Sequence, residues 1–179
     1  PVAATDPGPG RDERVNILVV GIDKVPGRTA TLTDSMIVVS IDPVGATVTM
    51  VSLPRDLVRV PLEGGTVFGP KLNSLMAYAD RHPDEFPRGG MRTLQDAIGA
   101  LLGIQVHYYA QVDFFGFVKL IDAVGGVDIN VAKGFYDETY DGLGVNPKGV
   151  RGWGVEAGLQ HFDVTERIGR DAGREVGDE

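Results

Sequence analysis

VNILVVGID, from Val15 to Asp23, is an almost unbroken β-branched run, the pattern of a strand covered on both faces. SMIVVSIDP and ATVTMVSLP read the same way, with DPVG as a tight turn between them. VRVPL is a short extended piece. KLNSLMAYADR carries Leu72, Leu75, Met76 and Ala79 at helical spacing. MRTLQDAIGALLG repeats that spacing more clearly, with Leu94, Ile98, Leu101 and Leu102 on one face and Gly103 placed to cap the helix. HYYAQVD alternates like a strand, FFGFVKLIDAVGG predicts a helix ending at paired glycines, and VDINV predicts another strand.

Residues 132–158 are glycine-rich and weakly patterned, a loop with room for one hairpin. The polar tail LQHFDVTERIGRDAGREVGDE has helical character, which the two glycines among its arginines weaken. Strands interleaved with helices predict an α/β fold: a mixed central sheet flanked by helices in three layers, α/β/α. The Pro/Gly/Asp-rich opening, residues 1–14, reads as a linker, and residues 15–179 as one domain.

Composition narrows the function classes. The chain has 179 residues, 42% apolar and 23% charged, enough for one sizeable core. A formal net charge of -8 leaves no general basic surface for nucleic acid. With no cysteine, disulfides, thiolate metal sites and cysteine nucleophiles are excluded. No apolar run reaches the roughly 18 to 20 residues of a membrane span. A sequence opening on Pro1 looks like an excised fragment, and an anchor is one thing that could precede it.

The candidate chemistry lies at strand ends. Asp23 closes the first strand and Asp34 precedes the next apolar run, so one sheet rim could carry both carboxylates. Paired carboxylates beside Thr33 or Ser35 suit a hard cation such as Mg²⁺, whereas ordinary turn and capping roles explain each aspartate separately. In VTMVSLPRDLVRVP a buried-looking strand runs straight into Arg55 and Asp56. Arg55 offers a planar fork for phosphate, and Lys71 and Asn73 stand where an extended loop enters a helix. The plainer alternative pairs Arg55 locally with Asp56 and leaves Lys71 solvated. His82, His107 and His161 show no ligand spacing, and neither a phosphate-binding glycine loop nor a nucleophile elbow is present.

In this order, NILVVGID, LTDSMIVVSIDP, VSLPRDLVRVP, KLNSLMAYAD, YYAQVDFFGFVKLIDAVGGVDINV and GLQHFD resemble the LytR-CpsA-Psr family of bacterial cell-envelope proteins, from about Val15 to the end. The resemblance implies an extracytoplasmic domain, tethered to the membrane by a helix outside this chain. It implies transfer of a glycopolymer from a polyprenyl-pyrophosphate carrier onto peptidoglycan with Mg²⁺, with hydrolysis of the pyrophosphate lipid as a side activity. By the same resemblance, Asp23 and Asp34 are metal carboxylates, Arg55 grips phosphate, and Asp56, Lys71 and Asn73 share its pocket. Apolar residues around Leu75, Ile98, Leu102, Phe115, Phe117 and Ile121 either line a slot for the lipid or form ordinary core.

The sequence also departs from the family pattern. Leu32 stands where many members carry arginine, with Arg28 the nearest substitute. Late in the chain Ala172 replaces the first arginine of an R-x-R pair and Arg174 matches the second, with Arg170 nearby. No D-x-x-R follows, so a domain truncated at its C-terminal end is expected. These departures leave open a noncatalytic polyprenyl-phosphate- or glycan-binding module. An intracellular nucleotide-binding domain is the remaining, less supported reading.

Overall fold

The computed structural model describes residues 8–23, 31–139 and 153–162. They fall in two compact units, Pro1–Phe114 and Phe115–Glu179.

The first unit is built on a four-stranded mixed sheet. Strands β1 (Val15–Asp23), β2 (Leu32–Asp42), β3 (Thr47–Leu53) and β6 (Tyr108–Asp113) lie in the order β3-β2-β1-β6. β1 pairs antiparallel with β2 and parallel with β6, and β2 pairs antiparallel with β3. The expected fold class, α/β with a mixed central sheet, is the observed one. Asn16, Leu18, Val20 and Ile22 of β1 are buried, as are Met36 and Val38 of β2. Their apolar members pack with Leu72, Leu75, Met76, Leu94, Ala97 and Ile98 from helices α1 (Leu75–Arg81) and α2 (Gly90–Leu102) and the turn before α1. That two-residue alternation corrects the expectation of a β1 buried on both faces, since its other face is only half-buried.

β3 departs further from the sequence pattern. It is an edge strand, and all of its residues except Leu53 are exposed, Val48 and Met50 among them. Its β-branched composition reports strand propensity, which an edge strand satisfies without two-sided burial.

The two helices match their sequence signals. Leu72, Leu75, Met76 and Ala79 are all buried. Gly103 takes the left-handed conformation at the end of α2, φ 67°. Leu101 is the exception on α2, exposed although its spacing placed it beside Leu94 and Ile98. The helices meet closely at Gly90, where a Cβ would lie 2.2 Å from the Met76 carbonyl oxygen. The Gly90 N–H donates to Asp80 Oδ1 at 2.7 Å, so α1 closes the first turn of α2. Two further short strands, β4 (Val60–Pro61) and β5 (Val67–Phe68), pair antiparallel between β3 and α1 in the sequence.

In the second unit, α3 (Phe114–Ala123) precedes β7 (Val127–Val131), with Gly125 and Gly126 both at positive φ between them. β8 (Phe135–Asp137) pairs with β9 (Trp153–Val155), the hairpin expected in the glycine-rich region. The stretch LQHF, read as part of a polar tail with helical character, is instead strand β10 (Gly158–Phe162), antiparallel to β7. Cross-strand pairing to VDINV, with His161 Nδ1 2.6 Å from Asp128 Oδ1, overrides the local preference.

Candidate functional site

A change of register aims Asp34. The β1–β2 ladder runs evenly from Val15 opposite Ile41 to Gly21 opposite Ser35, then resumes with Ile22 opposite Thr33. Asp34 is therefore an extra residue on β2, a bulge at the end of the pair. Thr33 and Met36 both point into the core, and Asp34 between them is half-buried. Gly21 sits opposite the bulge, where a Cβ would press within 3.2 Å of Ser35 Oγ.

β3 delivers Arg55 to the same place. Leu53 pairs with Met36, so the chain leaving β3 through Pro54 emerges beside the bulge. Arg55 Nη1 donates to Asp34 Oδ1 at 2.8 Å. Asn73 Nδ2 reaches the same oxygen over a longer 3.5 Å. The backbone locks this arrangement: the Asn73 N–H donates to Arg55 O at 3.1 Å and the Leu72 N–H to Leu57 O at 2.7 Å. Beneath them the fully buried Thr33 hydroxyl donates to Asn73 O at 3.3 Å. A loop from β3, a turn before α1 and a bulge in β2 are thereby held as one unit.

Lys71 Nζ lies 2.6 Å from Asp56 Oδ1, both exposed. The hydrogen bond from Lys71, reinforced by the Lys71 and Arg55 charges, holds the Asp56 carboxyl below the usual carboxylate range. Partner choice thus differs from the local alternative: Arg55 crosses to Asp34, and Asp56 takes Lys71. Asp23 ends β1 opposite Leu32, at the same end of the β1–β2 pair as Asp34. Of the expected site residues, Asp34, Arg55 and Asn73 share one contact network, Asp56 and Lys71 form an ion pair flanking it, and Asp23 occupies the same rim. Arg28, Arg170 and Arg174 lie outside the described residues.

The carboxylates of Asp23 and Asp34 would offer a cation oxygen only. Among the described residues no group of three or more His, Cys, Asp or Glu side chains forms a ready metal-ligand set. Carboxylate oxygen is the donor type that a hard cation prefers. The histidines take structural places. His82 stacks on Tyr78 with ring centroids 4.0 Å apart, and His107 Nδ1 accepts the Asn16 N–H at 3.0 Å.

The expected lipid-slot residues divide between core and surface. Leu75 and Ile98 are fully buried in the first unit's core, which excludes them as the wall of an open slot. Leu102 packs at the edge of that core. In the second unit Phe115 and Phe117 are exposed and Ile121 is half-buried.

What the geometry assembles is a carboxylate–guanidinium rim on an α/β domain. The chain belongs to the LytR_cpsA_psr family, whose model matches residues 3–168. Over 108 residues it is 39% identical to the polyisoprenyl-teichoic acid–peptidoglycan teichoic acid transferase TagV of Bacillus subtilis, covering 60% of this chain and 25% of that protein. Over 125 residues it is 39% identical to the regulatory protein MsrR of Staphylococcus aureus, covering 68% of this chain and 34% of that protein. The crystal structure of B. subtilis TagV superposes with a TM-score of 0.63 at 28% identity, covering 93% of this chain and 58% of that one. The chain thus spans a quarter to a third of these curated relatives.

Proposed function

We propose that this domain moves a glycopolymer from a polyprenyl-pyrophosphate carrier onto peptidoglycan at the outer face of the bacterial membrane, and that the carrier's pyrophosphate sits at the Arg55–Asp34–Asn73 rim. One observation carries the reading: the β2 bulge and the β3 exit converge so that a guanidinium is fixed on a strand-end carboxylate. Family membership and the transferase name of the TagV relative support it.

In the proposed step, an acceptor hydroxyl oxygen bonds to the glycan-bearing phosphorus of the carrier. The bond from that phosphorus to the bridging oxygen breaks, polyprenyl phosphate leaves, and the hydroxyl proton is released. Charge accumulates on the leaving phosphate, so the protein's task is positioning and electrostatic stabilisation. Arg55 binds a phosphate oxygen in plane, and Asn73 fixes Asp34 while Asp34 fixes Arg55. Lys71, tethered by Asp56, adds a second positive charge.

Around the rim, Arg55 and Lys71 face the carboxylates of Asp23, Asp34 and Asp56. Among the described residues, two cations against three anions do not neutralise a pyrophosphate, which is the physical case for a divalent ion. Asp23 and Asp34 are the residues proposed to hold Mg²⁺, which when bound supplies charge neutralisation on the phosphate oxygens. Arg28, Arg170 and Arg174 are proposed to supply further positive charge.

Incubating the chain with a polyprenyl-pyrophosphate glycan and a peptidoglycan acceptor, with and without Mg²⁺, tests the proposal. Polyprenyl phosphate released together with a new phosphodiester supports transfer. Binding of the carrier with no turnover, in this chain and in one extended at its C-terminus, identifies a binding module instead.

A further inference from the structure

Away from the Asp34 rim, a second polar cleft lies between α2 and β6. Arg92, Gln95, Asp96 and Gly99 repeat along one face of α2, with Arg88 just before its first turn. Arg88, Arg92 and Gln95 form a wall shared by two cavities. One, of about 250 Å³, is completed by Glu63, Asp96 and the 104–106 stretch. The other, of about 560 Å³, is completed by Asp80, His107, Tyr108 and Tyr109. β6 places Tyr109 beside Leu18, on the helix-covered side of the sheet, and leaves it 54% exposed. Leu18 lies four residues along β1 from Ile22, about 13 Å at roughly 3.3 Å per residue.

Three features define what this cleft would accept. Gln95 lines both cavities and, although only 4% exposed, is not one of the side chains with a buried atom left without a hydrogen-bond partner, which among the described residues are Asn16 and Asp96. A carboxamide on the wall of a cavity offers a ligand both a donor and an acceptor. Charge is balanced against anions, because Arg88 and Arg92 stand among Glu63, Asp80 and Asp96. Arg88 is already paired with Glu63 and Asp96, and Arg92 Nε is 3.2 Å from Asp96 Oδ1. A phosphate or carboxylate therefore gains no net attraction here. The exposed Tyr109 ring adds an apolar face with a polar tip.

We propose that the α2–β6 cleft binds an uncharged oligosaccharide, with Gln95 and the Arg88–Asp96–Arg92 network bonding its hydroxyls and Tyr109 lying under a sugar ring. Its service as the acceptor glycan's holding site rests on the transferase reading; the binding itself does not.

Titration of the intact chain with chitotetraose, an uncharged N-acetylglucosamine tetramer, followed by calorimetry and amide NMR shifts, tests the inference. Saturable binding is expected, with shifts confined to α2, β6 and the 104–107 stretch. Tyr109→Ala and Gln95→Met should each weaken it about tenfold, Arg55→Ala should leave it unchanged, and inorganic pyrophosphate should not compete. Absence of saturable binding, shifts mapping elsewhere, equal affinity in both folded cleft variants, or displacement by pyrophosphate overturns the proposal. Because Arg55→Ala separates the two sites, loss of transfer with oligosaccharide binding retained counts only against the phosphate rim.

Discussion

Arg55 Nη1 stands 2.8 Å from Asp34 Oδ1, and the two residues come from different strands across a bulge. Their side chains are 54% and 33% exposed, so the pair is a surface salt bridge worth roughly 0 to 1 kcal/mol to stability. The backbone bonds and the buried threonine beneath it are more elaborate than so small a gain requires. On the proposed function they preorganise Arg55 and Asp34 for the carrier's pyrophosphate. Arg55→Ala should accordingly lower unfolding free energy by no more than about 1 kcal/mol, as chemical denaturation will show. A loss several times larger would make Arg55 a structural residue.

Thr33 is the hidden support of the rim. Its hydroxyl is fully buried and donates to Asn73 O at 3.3 Å. Thr33→Val keeps the shape but strands that carbonyl, costing about 1 to 3 kcal/mol. It should also reduce transfer by more than the unfolded fraction explains, because Asn73 loses its anchor. Denaturant midpoints and initial rates measured together check this, and unchanged values of both would contradict it.

Gly90 is where the helices cannot tolerate a side chain. A Cβ there would fall 2.2 Å from a backbone oxygen of α1, an atom that cannot move aside as a flexible side chain would. Gly90→Ala should destabilise by about 1 to 3 kcal/mol or more. It should also break the bond to Asp80 that closes the first turn of α2. Thermal unfolding checks this, and a melting temperature equal to the parent's would refute the close packing.

Asp96 gives the stability a pH dependence of identifiable sign. Burial raises its pKa above the usual value near 3.8, against the pull of Arg92 and Arg88 and with a small push from Glu63. A raised folded-state pKa favours the fold at low pH, and that contribution is lost as pH rises through the folded value. Asp96→Asn should remove this component from the stability–pH curve just above pH 3.8. Asp56 acts with the opposite sign: Lys71 lowers its pKa, so its contribution is present above the unfolded value and lost as pH falls through the folded one. Unfolding curves across the acid range for parent and Asp96→Asn check the assignment, and identical slopes would contradict it.

Much of this was legible in the sequence because the signals were local. β1 and α2 follow from composition and periodicity, and Gly103 from the end of its helix. That Asp34, Arg55 and Asn73 belong together was readable only through motif order, since they lie far apart in sequence. Partner choice was not readable. Asp56 is the nearest acid to Arg55 along the chain, yet the bulge turns Asp34 toward the guanidinium, and no residue type announces a one-residue slip in register. β3 misled for another reason: strand propensity is shared by edge and central strands, so TVTMVSL concealed its exposure. β10 was missed because GLQHF gains its structure from VDINV, a distant partner. Gln95 gave no signal, being one polar residue in an amphipathic helix. Only its place on the wall of two cavities sets it apart.

The most direct test is the affinity of the intact chain for a polyprenyl pyrophosphate in Mg²⁺, compared between parent and Arg55→Ala, with folding of both verified. The account predicts that the variant stays folded and loses at least about tenfold in affinity, or about 1.4 kcal/mol. Equal affinity in a folded Arg55→Ala variant would contradict it and would remove the Arg55–Asp34 rim from the mechanism.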